Sequence, residues 1–151
     1  MGKSISLIRA LSALLCVLGA FAAGPARADD SVSSLGMGMG TGPNKPMVAF
    51  DTVIAQYNAS GKRFRIDGHC QSACTMFLSI KNVCVEPDAE LLFHAGTDRS
   101  GQVSAKWTKH MLDKYKPALA QYLTDNHVMD GIKFYTISGS VLISQYGYPA
   151  C

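Results

Sequence analysis

The amino terminus decides how much of the chain is left to fold. Lys3 and Arg9 lie in a charged start, residues 10–23 are almost wholly apolar, and Ala26-Arg27-Ala28 closes the stretch. A charged beginning, a short greasy middle and a small-x-small end describe a secretory signal peptide, with cleavage expected after Ala28. The apolar run is shorter than the roughly 20 residues that a permanent membrane-spanning helix needs. Cys16 follows Ala13-Leu14-Leu15, which lacks the small neighbour of a lipoprotein cysteine. The expectation is a signal peptide over residues 1–28 and one modest domain, exported across the inner membrane to a periplasm and left without a membrane anchor.

That cut changes the charge. The whole chain carries 14 Lys and Arg against 11 Asp and Glu, but Lys3, Arg9 and Arg27 leave with the leader. The remainder is close to neutral. Nucleic-acid binding draws its affinity from clustered Lys and Arg, so a nucleic-acid partner is not expected.

Once Cys16 is removed, Cys70, Cys74, Cys84 and Cys151 form an even set in an oxidising compartment, which favours disulfides. His69, Cys70, Cys74, Cys84 and His94 offer nitrogen and sulfur ligands of the kind zinc takes. No paired CxxC spacing accompanies them, and no metal is expected. Four cysteines allow three pairings. Cys70–Cys74 with Cys84–Cys151 is the expected set, because the second bridge closes a long loop and steadies a small domain.

Residues 29–45 form a Gly/Ser-rich segment without hydrophobic period, in which Gly36, Gly38, Gly40 and Gly42 alternate with other residues. The domain is expected over residues 46–151. Pro46 suits a first helical turn. Val48, Phe50, Val53, Ile54 and Tyr57 then trace a helical stripe that ends at Asn58-Ala59-Ser60-Gly61. Residues 62–67 alternate as a strand until Gly68, and a helix is expected from Ser72 to about Ile80. Val83-Cys84-Val85 and Leu91-Leu92-Phe93-His94 read as short strands. Residues 104–126 are helical in pattern, broken or kinked near Pro117. Residues 134–146 fit a strand or a short helix starting near Ser138. The order helix, strand, helix, strand, strand, helix points to an α/β fold.

The stretch with chemical content is Gly68-His69-Cys70-Gln71-Ser72-Ala73-Cys74-Thr75, followed by Phe93-His94-Ala95-Gly96. It sets a serine where a strand turns into a helix, beside unpaired N–H groups and the positive end of a helix dipole. A nucleophile there can use the N–H of Ala73 to stabilise an oxyanion. Serine needs a base, and His94 ends a later strand at the same expected sheet edge. A helix N-cap is the plain alternative for Ser72, and a structural histidine the plain alternative for His94.

These residues resemble the core of the Clp protease proteolytic subunit and its relatives in the crotonase superfamily, where a strand leads into a Gly-x-x-x-Ser turn and a histidine follows. The chain is most similar to small exported proteins of that group marked by Gly-x-Cys-x-Ser-Ala-Cys-Thr, with a Phe-His pair and a terminal Gly-Tyr-Pro-x-Cys. Gly68 to Thr75, Phe93-His94 and Gly147 to Cys151 fit that pattern. The resemblance implies a Clp/crotonase-like βαβ core that is truncated at its N-terminal side. It implies Ser72 as nucleophile, His94 as general base and the Ala73 N–H as one oxyanion donor. Gly42 stands near where the family's second donor belongs, although Pro43 follows it. For the acid, Asp130 is the expected residue, with Asp98 and Asp125 as alternatives. Crotonase relatives bind acyl-CoA, a cofactor not expected outside the cytoplasm, so none is assigned.

Two readings follow. One is an exported serine hydrolase of Clp-like peptidase type acting on a peptide. The other is a non-catalytic module of the same fold that binds a protein partner, motivated by the missing early strands. A truncated sheet leaves an edge that invites pairing, so a homo-oligomer is the expected assembly.

Overall fold

A computed structural model describes residues 30–31 and 48–151 of the chain. The expected leader, the Gly/Ser-rich segment and Gly42 lie outside the described residues, apart from Asp30 and Ser31. The elements are β1 (Asp30–Ser31), α1 (Val48–Ser60), β2 (Phe64–Ile66), β3 (His69–Gln71), a 3-10 helix (Ser72–Ser79), β4 (Val83–Val85) and β5 (Glu90–Phe93). After these come α2 (Ala105–Leu112), α3 (Pro117–Asp125), a 3-10 turn (Val128–Asp130), β6 (Tyr135–Ser138) and α4 (Gly139–Tyr146). The content is mixed α/β, as the element order suggests.

The strands make two three-stranded sheets, ordered β1-β2-β4 and β3-β5-β6. β2 pairs in parallel with β1 and β4, β3 in parallel with β5, and β5 antiparallel with β6. β3 was not anticipated as an element. Its three residues include the exposed His69 and the half-buried Gln71, too short and too polar a run to show a two-residue period.

Aromatic packing joins the first helix to the first sheet. Phe50 on α1, Phe77 in the 3-10 helix and Phe64 on β2 are buried with ring centroids 5.3 and 4.8 Å apart. Tyr57 meets Phe64 edge-on at 4.6 Å. Rings at such separations add attraction beyond the area they bury. α1 ends where Gly61 takes φ 68° and its N–H donates to the Tyr57 carbonyl at 2.9 Å. In the 3-10 helix Ala73 through Leu78 are all buried, so it runs through the core rather than along a surface. Pro117 divides the next helical stretch: α2 stops at Leu112 and α3 starts on the proline, whose missing N–H costs nothing at a first helical position. Residues 134–146 supply both anticipated elements, a strand and then a helix capped by Ser138.

The carboxyl terminus closes the first sheet. Cys84 on β4 and Cys151 are at disulfide distance, 2.19 Å between sulfurs, as are Cys70 and Cys74 at 2.16 Å. This is the pairing expected from the sequence. The Val85 N–H donates to the Pro149 carbonyl at 2.9 Å and the Cys151 N–H to the Val85 carbonyl at 3.1 Å. The tail therefore lies along the side of β4 away from β2 and covers an edge that would otherwise be open. Two disulfides fit an extracytoplasmic setting. Among the described residues no helix is long and apolar enough to cross a membrane.

Candidate active site

β3 and β5 fix the relation between Ser72 and His94. Their parallel register sets Cys70 against Leu91 and Gln71 against Leu92. Ser72 leaves β3 directly after Gln71, and His94 leaves β5 directly after Phe93. Both residues thus emerge at the carboxyl ends of neighbouring strands, which lie about 4.8 Å apart in a sheet.

The turn at Ser72 is unusual. Its φ is 58°, a left-handed value that residues with a side chain seldom adopt. Such conformations cost of order 1–3 kcal/mol and persist where their surroundings enforce them. Here the enforcement can be named. The Cys70–Cys74 bridge spans the turn, with both cysteines fully buried. The Thr75 hydroxyl donates to the Ser72 carbonyl at 2.7 Å, and Thr75 Oγ1 also lies 2.6 Å from the Tyr115 hydroxyl. Thr75 has one proton to give, so with that proton on Ser72 the Tyr115 hydroxyl must be the donor to Thr75. Tyr115 is buried, its hydroxyl pKa is pushed up by desolvation, and its ring meets Phe93 edge-on at 5.4 Å. A buried relay thus runs from Tyr115, in the link between α2 and α3, to the Ser72 backbone. Ser72 itself is half-buried. Ala73 lies in the first turn of the 3-10 helix, where N–H groups have no acceptor within the helix.

His94 is 8% exposed and its ring meets Phe134 edge-on at 4.8 Å. Burial pushes its pKa below the ordinary histidine value, and the Ala95 backbone offsets part of that effect. The imidazole is therefore neutral at pH 7 and able to accept a proton. Beyond it, the Ala95 N–H donates to the Gly131 carbonyl at 2.9 Å and the Gly96 N–H to Thr108 Oγ1 at 3.0 Å. Glycine is required at position 96, since a Cβ there would lie 2.4 Å from the Trp107 carbonyl carbon. Its absence lets α2 close down beside the strand end that carries His94.

No carboxylate among the described residues hydrogen-bonds to His94, and its Nδ1 is buried without a partner. Asp130, the acid expected from the sequence, instead accepts from His127 Nδ1 at 2.8 Å in an exposed pair. The physical reason is local. The two residues are three apart around a tight 3-10 turn, which brings their side chains together before any distant partner can compete. Asp98 caps its own loop, accepting from Ser100 and Gln102, and its pKa is lowered chiefly by the Ser100 side chain. Asp125 accepts from Gln121 at 2.7 Å. No hydrogen bond joins the side chains of Ser72 and His94 in this conformation.

Among the described residues no cluster of His, Cys, Asp or Glu is arranged to hold an ion. Cys70, Cys74 and Cys84 are committed to sulfur–sulfur bonds, so they present no thiolate to a metal. His69 donates to Gln71 at 2.9 Å on the surface.

One cluster was not anticipated. Asp51 on α1 accepts from His110 Nε2 at 2.9 Å and pairs with Lys114 Nζ at 2.7 Å, pinning α1 to the α2 region. The available signal was the basic pair His110 and Lys114, four apart and hence on one helix face. Comparison with family models, curated proteins and solved structures returned no match.

Proposed function

We propose that the chain is an exported serine hydrolase of Clp-like peptidase type, with Ser72 as nucleophile and His94 as general base. One observation carries the reading: a serine held at φ 58° follows one strand and a buried histidine follows its parallel neighbour, at the same ends of the two. In the reaction the Ser72 hydroxyl attacks an acyl carbon while His94 accepts its proton. The developing oxyanion takes the Ala73 N–H, and His94 returns the proton to the leaving group. Water then repeats the sequence on the acyl-enzyme. Residues 1–28 serve as the export signal, and the compartment is the periplasm. The fold is a small relative of the Clp/crotonase core.

A second reading is favoured by the unpartnered Nδ1 of His94 and by Asp130 pairing with His127. Without an orienting acid the same frame serves as a non-catalytic module that binds a protein partner. A fluorophosphonate probe separates the two. The hydrolase forms a covalent adduct on the peptide containing Ser72, and Ser72→Ala removes it. An oxidised, folded protein that stays unlabelled while a control serine hydrolase reacts belongs to the second reading.

A further inference from the structure

The segment that packs on His94 also walls a cavity. After the 3-10 turn the chain passes Gly131, whose carbonyl receives the Ala95 N–H, and reaches Phe134, whose ring lies against the imidazole. The same stretch lines a half-open depression of about 220 Å³, bordered among others by His127, Val128, Gly131, Lys133, Phe134 and Tyr135. That volume exceeds the roughly 150 Å³ of an apolar cavity able to take benzene. It is below the roughly 300 Å³ at which pockets for whole drug-sized ligands begin. One ring or short chain fits the depression, with the rest of a ligand free to extend into solvent.

The wall chemistry narrows the occupant. Phe134, Val128 and Tyr135 present apolar surface, and Phe134 is 44% exposed although it touches the buried histidine. The charges beside them are unequal. His127 is already paired with Asp130, whereas Lys133 has no ion-pair partner among the described residues. An uncompensated ammonium next to an aromatic wall favours an anion attached to an apolar group. Gly131 borders the space. A Cβ added there would meet nothing within 4 Å, and its backbone, at φ −145° and ψ −176°, is extended and open to any residue.

We propose that this cavity is the subsite for an aryl or short alkyl group bearing a carboxylate, seated against Phe134 with its charge on Lys133. In the hydrolase it holds the substrate group next to the scissile bond. That assignment rests on the Ser72–His94 reading, while the binding itself does not.

The probe is 3-phenylpropionate, titrated into the oxidised protein and followed by backbone amide shifts. Saturable shifts are expected at Gly131, Lys133 and Phe134, of equal affinity in wild type and Ser72→Ala. Gly131→Leu fills the space and weakens binding at least tenfold. Lys133→Gln, an exposed change that leaves the fold intact, weakens it several-fold, as does replacing the acid with 3-phenylpropionamide. Absence of saturable shifts in the wild type, or unchanged affinity in both Gly131→Leu and Lys133→Gln, overturns the subsite. Equal binding of acid and amide overturns the role of Lys133. Binding that persists in a protein unreactive to fluorophosphonate keeps the subsite and refutes the hydrolase, so the two claims fail separately.

Discussion

Removing each disulfide in turn should separate stability from reactivity. Cys84 and Cys151 are separated by 67 positions, Cys70 and Cys74 by 4. Loop-closure entropy grows with the logarithm of that separation, giving about 4 kcal/mol for the long loop and about 2 kcal/mol for the short one. The double variant Cys84→Ala/Cys151→Ala also frees the tail hydrogen bonds to Val85, so its loss should not fall below the loop term. A domain of this size has only about 5–15 kcal/mol in total. Urea unfolding of the oxidised proteins, followed by far-ultraviolet dichroism, measures both losses. The Cys70→Ala/Cys74→Ala protein should keep most of its stability yet lose most of its fluorophosphonate reactivity, because the bridge that braces the Ser72 turn has gone. If the short bridge proves the more stabilising, or if its removal leaves Ser72 equally reactive, the division of labour argued from the turn is wrong.

Three further outcomes follow from named contacts. Thr75→Val strands the Tyr115 hydroxyl and the Ser72 carbonyl, and should cost about 2 kcal/mol in urea unfolding while slowing labelling of Ser72. Gly96→Ala forces a Cβ against the Trp107 backbone, so a loss of roughly 1–3 kcal/mol is expected, with amide shifts concentrated in α2. The depressed pKa of His94 means that the unfolded chain binds this proton more readily than the folded one. Its contribution is therefore complete above the unfolded value near 6.5 and is lost as pH falls through the folded value. Melting temperatures of wild type and His94→Gln should accordingly converge as the solution is acidified, and parallel curves would contradict this sign.

Much of this architecture is visible in the residues, and the gaps have physical causes. Gly68 and Ser72 mark the strand-to-helix turn because turn residues act locally, and Pro117 marks the helix break for the same reason. The expected cysteine pairing weighed loop length and the need to tie down a terminus, and the two pairs at disulfide distance agree with it. Sheet order is different. That β3 joins β5 and β6 while β2 joins β1 and β4 depends on pairings between distant segments, which hydrophobic period does not encode. The Asp51–His110 contact spans 59 positions and is invisible for the same reason. Asp130 illustrates the converse. The family resemblance offered it as the acid for His94, and in the folded protein it pairs with its near neighbour His127.

The central claim is that His94 activates Ser72, and the rate of fluorophosphonate capture across the histidine range tests it most directly. Wild-type protein should react at a rate that rises through an inflection below the ordinary histidine value near 6.5 and then levels off. His94→Ala should be slow throughout and lack the inflection. Equal rates in the two proteins, or no adduct at Ser72 at any pH, would contradict the account.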